Sequence, residues 1–126
     1  MHNYVHIQLL VTDLDKAIQF YGMVFGWNVY KSDSIPNYAI YEIDKEGEQV
    51  GGGFGLTDKK PSTGTVSLYI NTEDIPSTLK TIEKHGGKIV QEKTMLPDGH
   101  GCVAQFKDPF GNVLGLWSEP EEDSAD

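Results

Sequence analysis

Val5-His6-Ile7-Gln8-Leu9-Leu10-Val11-Thr12-Asp13-Leu14 carries the pattern on which the reading of this chain turns. Val5, Ile7, Leu9 and Val11 alternate with His6, Gln8 and Leu10, the two-residue period of a strand buried on one face. Thr12-Asp13 then offers an N-cap, and Leu14, Ala17, Ile18 and Tyr21 recur at helical spacing. Gly26 supplies a helix stop, after which Trp27–Lys31 resumes as a strand.

The same order recurs about sixty positions later. Thr65–Ile70 alternates Val66, Leu68 and Ile70 with Thr65, Ser67 and Tyr69. Glu73-Asp74 caps a helix carrying Ile75, Leu79 and Ile82 on one face, Gly86-Gly87 stops it, and Lys88–Glu92 is again extended. Two further extended stretches close each half: Tyr38–Asp44 and Gln49–Leu56 in the first, Cys102–Lys107 and Val113–Ser118 in the second. Lys45-Glu46-Gly47 joins the first pair. Asp108-Pro109-Phe110-Gly111-Asn112 joins the second, with Pro and Gly supplying the fixed and the permissive angles of a tight turn.

The chain therefore reads as an α+β protein, one domain over residues 1–118 built from two β-α-β-β-β modules. The modules are Met1–Leu56 and Thr65–Ser118, the polar stretch Thr57–Gly64 links them, and Glu119–Asp126 forms an acidic disordered tail. Each sheet would bury one face under its own helix, and the opposite faces, brought together, would make a part-barrel cavity. Because neighbouring strand residues point to opposite sides, His6, Gln8 and Leu10 fall on the cavity side of the first strand. The same parity sends Thr65, Ser67 and Tyr69 inward from the fifth. A cavity lined by an imidazole, an amide and hydroxyls suits a small molecule.

Composition narrows the classes. At 126 residues there is room for little more than one domain, and 38% hydrophobic against 23% charged residues indicates a folded core. More than half of the net charge of −9 lies in the last eight residues, which hold five acids and no base. No basic stripe is left to follow a phosphate backbone, so nucleic acid is not an expected partner. The lone cysteine, Cys102, excludes an intrachain disulfide and a Cys-only zinc site. No apolar run approaches the ~18 residues of a membrane span, and Met1-His2-Asn3-Tyr4 lacks a signal-peptide pattern, so a cytoplasmic, membrane-free protein is expected.

The run His6–Leu14, with Phe20-Tyr21, Phe25-Gly26-Trp27 and the Asp108–Asn112 turn before a final strand, resembles the vicinal oxygen chelate superfamily. That superfamily contains glyoxalase I, bleomycin-resistance proteins, fosfomycin-resistance enzymes and extradiol dioxygenases. Gly51-Gly52-Gly53 and the ending Gly115-Leu116-Trp117 are similar to a branch related to lactoylglutathione lyase. The resemblance spans Tyr4 to about Ser118 and implies the duplicated architecture and a homodimer. It also implies one metal ligand on each of four strands, His or Glu holding a divalent ion. In this chain the four positions fall on His6, Gly53, Thr65 and Gly115. Glycine has nothing to ligate with and a neutral hydroxyl is a weak donor, so the set implies no catalytic metal unless His100 or Glu42 rescues it.

His6 is the candidate catalytic residue, as a general base or hydrogen-bond donor near neutral pH, or else a pocket histidine without chemistry. His6, Gln8, Gly53, Phe54, Thr65, Ser67, Tyr69, Gly115 and Trp117 are the expected ligand-lining residues. Phe54 and Trp117 form the aromatic wall, whereas Trp27 belongs to the core. The glycine run either opens the cavity or marks a bent strand; it is no phosphate cradle, since no helix follows it. His100 with Cys102 reads as a loop histidine beside a buried thiol. Two functions follow: a glyoxalase/bleomycin-resistance-type binder of a small organic ligand, or a metal-dependent lyase or isomerase acting on a small carbonyl compound.

Overall fold

The computed structural model describes residues 6–45, 48–58 and 67–121, with backbone alone at 44–45 and 48–49. The chain forms two compact units, Met1–Ser62 and Thr63–Asp126. Each runs strand, helix and three strands, as the duplicated pattern predicts.

In the first unit, β1 (Ile7–Val11), α1 (Leu14–Phe25), β2 (Asn28–Lys31), β3 (Tyr38–Lys45) and β4 (Glu48–Leu56) give a four-stranded sheet in the order β1-β4-β3-β2. β1 and β4 are parallel; the other neighbours are antiparallel. Asp13 caps α1 by accepting from the Lys16 N–H at 3.0 Å, and Gly26 ends it in the left-handed conformation, φ 72°. The buried stripe Ala17, Phe20 and Tyr21 meets Val11, Ala39, Tyr41 and Phe54 from the sheet. Rings fill this core. Tyr21 lies 4.9 Å from Phe54 and 5.2 Å from Trp27, and Trp27 stacks on Tyr41 at 4.7 Å. Such pairs add about 0.5–1.5 kcal/mol each beyond area burial.

The second unit holds β5 (Tyr69–Asn71), α2 (Ile75–Lys84), β6 (Lys88–Met95), β7 (Cys102–Lys107) and β8 (Val113–Ser118), in sheet order β5-β8-β7-β6. Asp74 caps α2 by accepting from the Ser77 N–H, and Ile75, Leu79 and Ile82 are buried, as are Ala104, Phe106, Leu114 and Leu116. The Asp108–Asn112 connection is organised by the buried Asp108 carboxylate. It accepts from the backbone of Phe110 and Asn112 at 2.9 and 2.8 Å and from the Asn112 amide at 2.9 Å. A buried carboxylate needs such donors to be tolerated.

Two strands of the second unit depart most from the sequence pattern. β5 is assigned only from Tyr69, although the Gly115 N–H already donates to the Leu68 carbonyl at 2.8 Å; Thr65 and Val66 lie outside the described residues. β6 runs on to Met95 through two register shifts, so its hydrophobic alternation fades after Glu92 while pairing with β7 continues. Among the described residues no helix is long and apolar enough to cross a membrane.

Candidate functional site

Gly52 and Gly53 on β4 lie where two tyrosines of β3 cross the strand on opposite faces. β4 lies between β1 and β3, so a side chain on β3 reaches β1 only by passing over or under β4. Tyr41 passes on the helix side: its Oη donates to the Ile7 carbonyl at 3.0 Å, and a Cβ at Gly52 would meet that oxygen at 2.6 Å and overlap the Ile7 carbonyl. Tyr38 passes on the open side. Its ring lies where a Cβ at Gly53 would be, and its Oη sits 2.6 Å from His6 Nε2, with the two rings nearly parallel at 16°. Glycine is required at Gly53 by the Tyr38 ring and at Gly52 by the Ile7 carbonyl and the Tyr41 hydroxyl, neither for a wider cavity nor for a bend.

Burial pushes the Tyr38 phenol above its ordinary value, and burial with the nearby Tyr38 raises Tyr41 to about 12. Both hydroxyls keep their protons at neutral pH. Tyr38 can therefore donate to His6 Nε2, which fixes the imidazole proton on Nδ1. Beside this pair a cleft of about 300 Å³ opens on the first unit, at the small end of ligand-site volumes. Tyr38, Ile40 and Glu42 follow one another on the same face of β3 and line it, together with His6, Ile35 and Val50. Glu42 is held from β2: Oε1 accepts from the Asn28 amide at 3.1 Å and Oε2 from Tyr30 Oη at 2.8 Å. The second unit has a larger depression of about 650 Å³ where α2 begins, edged by Glu73, Asp74, Glu119 and Glu121; its Lys93 pairs with Glu121. None of the expected ligand-lining residues borders it.

The sequence-predicted residues fall into separate groups. His6, Gln8 and Gly53 share the open face of the first sheet, Gln8 and Gly53 being partners in register. On the second sheet Tyr69 pairs with Gly115 and its ring covers that glycine, while Trp117 donates from Nε1 to the His100 carbonyl at 2.9 Å. Ser67 is exposed, and Thr65 lies outside the described residues. Phe54 is a correction. It is fully buried on the helix side between Tyr21 and Tyr41, because it pairs with Leu9 and Ala39 and shares their parity rather than that of Gly53. Cys102 is buried and His100 exposed, as read from the sequence. Tyr38 and Glu42 are cleft residues that the ligand-lining set omits, and Tyr30 holds Glu42 from β2. The available signal was two tyrosines three apart on the strand facing Gly51–Gly53.

Two of the four family metal positions, Gly53 and Gly115, offer an ion no ligand. Beyond the missing ligands at Gly53 and Gly115, any side chain there would overlap the Tyr38 or the Tyr69 ring. Glu42 joins His6 in lining the cleft but adds only a second ligating group, and about three protein ligands are needed for a catalytic site. Among the described residues no three His, Cys, Asp or Glu side chains are grouped to hold an ion.

Comparison with known proteins accords with this architecture. A family model described as the Glyoxalase/Bleomycin resistance protein/Dioxygenase superfamily matches residues 3–116. A probable lactoylglutathione lyase of Synechocystis is 30% identical over 120 residues, 89% of this chain and 92% of that protein. The lactoylglutathione lyase of Oryza sativa is 27% identical across 95% of this chain, which spans only 44% of that longer protein. Among solved structures, a superfamily member from Sphaerobacter thermophilus matches with TM-score 0.70 at 28% identity, over 94% of this chain and 98% of that one. The genomically encoded fosfomycin resistance protein of Listeria monocytogenes matches in fold, with TM-score 0.73 at 18% identity over 94% and 93% of the two chains. With matching element order in both halves and a family match over nearly its whole length, the chain belongs to the Glyoxalase/Bleomycin resistance protein/Dioxygenase superfamily.

Proposed function

We propose that this protein binds a small organic molecule in the cleft beside His6 and Tyr38, with no metal held at the four positions the family uses. The observation that carries the reading is the 2.6 Å contact between Tyr38 Oη and His6 Nε2 at the wall of that cleft. It leaves an oriented imidazole on a largely apolar surface, the mix of few polar and many apolar groups that small-molecule sites share. Gln8 extends the polar edge along β1. On the second sheet, Tyr69 and Trp117 offer ring surface for the same class of ligand. The protein is also proposed to act as a homodimer in the cytoplasm.

A thermal-shift screen of small metabolites tests the binding reading. A ligand at 100 times its dissociation constant adds about 2.7 kcal/mol of stability, and His6→Ala should abolish most of that shift while leaving the unliganded melting temperature nearly unchanged. A hit whose shift survives His6→Ala would place binding elsewhere. A second reading, lyase or isomerase chemistry, draws on the relatives named lactoylglutathione lyase. Turnover of lactoylglutathione that requires an added divalent ion, together with one equivalent of metal lost on His6→Ala, would replace the first reading.

A further inference from the structure

We infer that the molecule taken by the first-unit cleft is an organic cation, a protonated amine on an apolar body, with its charge on Glu42. This rests on the reading of the cleft as a small-molecule site.

Among the described residues, Glu42 is the one acid lining the cleft, and no lysine or arginine lines it. Among the described residues its carboxylate has no ion-pair partner. Its hydrogen-bond donors, the Asn28 amide and the Tyr30 hydroxyl, are both neutral. The Tyr30 phenol is held above its ordinary value first by that hydrogen bond and then by desolvation and by the negative charge it faces, so it does not supply a counter-charge of either sign. Two neutral donors orient a carboxylate without neutralising it, and each oxygen keeps a further lone pair for a ligand.

The surroundings select against the alternatives. Ile35, Ile40 and Val50 supply apolar wall, and Ile35 and Val50 are about half exposed, at 50% and 47%. A bare inorganic cation would gain nothing from covering them, and an oxygen cage of the kind hard cations need is absent among the described lining residues. An anion would meet Glu42 and, among the described lining residues, no lysine or arginine. A hydrophobic amine satisfies both features: its body covers Ile40 and Val50, and its ammonium completes the carboxylate. The Tyr38 and Tyr30 rings on the same face add π surface that favours a cation over its neutral isostere. The net charge of −9 attracts a cation at long range.

Benzylamine, benzyl alcohol and benzoate, matched in size and differing in charge, test this by nitrogen–proton NMR titration of the full chain at neutral pH and low salt. The expected result is benzylamine binding at least about tenfold tighter than benzyl alcohol, the factor of one charge-assisted hydrogen bond over a neutral one. Benzoate should be weakest, and the shifts should cluster at Ile40, Glu42 and Gly51. Glu42→Gln, which keeps the shape and one acceptor, should bring benzylamine down to the level of the alcohol. Alcohol or benzoate binding at these residues as tightly as the amine, or a preference that survives Glu42→Gln, overturns the cation inference and leaves the cleft a ligand site. No shift at these residues with any probe at millimolar concentration overturns both. Ile40→Asn guards against a misfolded Glu42 variant: it should weaken amine and alcohol equally, and an unequal loss counts against the division of roles.

Discussion

Gly53 and Gly115 each lie beneath a tyrosine ring, yet the two tyrosines arrive by different routes. In the second sheet Tyr69 covers Gly115, its own partner in the parallel β5–β8 ladder; the residue is 46% exposed and its hydroxyl has no polar partner among the described residues. In the first sheet Tyr38 comes from β3 and lies across Gly53 to end on His6 of the far edge. The local residue pair is the same, but only the arrangement in the first sheet ties three strands together and orients a titratable group. A duplicated fold has thus kept its ladder in both halves while placing an oriented histidine in one. The difference lies in what is covered: a ring resting on its own neighbour fills space, whereas a ring spanning a strand positions what it reaches.

A methyl-insertion series should break that comparison most visibly. Gly52→Ala is expected to cost about 3 kcal/mol or more, because its Cβ would overlap the Ile7 backbone carbonyl, which cannot move without opening the β1–β4 ladder. Gly53→Ala meets the Tyr38 side chain first and should cost about 1–2 kcal/mol, with loss of the His6 contact. Gly115→Ala should cost below about 1 kcal/mol, since the exposed Tyr69 ring can swing aside. Urea unfolding of the three variants gives the order. A Gly115→Ala loss as large as that of Gly52→Ala would mean that Tyr69 is no free cover but part of a packed core.

The crossing tyrosines also make the first unit sensitive to alkali. Tyr41 is raised to about 12 by burial and by Tyr38, so the native state holds its proton over a range where the unfolded chain has lost it. Its contribution is complete below the ordinary tyrosine value near 10 and falls as pH rises from there to about 12. The slope of stability against pH in that window should be steeper for the parent than for Tyr41→Phe, which retains the ring on Trp27 and Phe54. Equal slopes would show that the phenol ionises as freely in the folded protein as in the unfolded one.

The architecture was legible because it rests on local periodicity: Asp13 and Asp74 at the caps, Gly26 at the stop, and apolar alternation in β1 recurring in the fifth strand. The open face of β1 was legible for the same reason, which is why His6 and Gln8 were found. What failed was parity across strands. Phe54 and Gly53 are adjacent on β4 and cannot share a face, so assigning both to one lining was inconsistent with a two-residue period. Tyr38 was missed, and Glu42 was named only as a possible metal ligand, for a different reason. Their roles depend on the register β3 takes against β2 and β4, which long-range pairing sets and no local motif reports. The glycine run held the missing information, but only as a negative image of the side chains that cross it.

The smallest expected effect is the most specific one. Tyr38→Phe keeps the ring over Gly53 and deletes only the hydroxyl that faces His6 Nε2. Because that contact is solvent-accessible, stability should change by less than about 1 kcal/mol, near the lower end for a lost hydrogen bond. The imidazole should respond all the same. With the donor gone, the proton is no longer confined to Nδ1, and the two ring nitrogens should move toward the average of the tautomers in a nitrogen-detected spectrum above the histidine pKa. Tyr69→Phe is the matched control, since it removes a hydroxyl without such a partner and should leave the His6 nitrogens where they were. Unmoved His6 signals in Tyr38→Phe would show that the crossing ring fills space in the first sheet as Tyr69 does in the second, and the contrast between the two halves would then vanish.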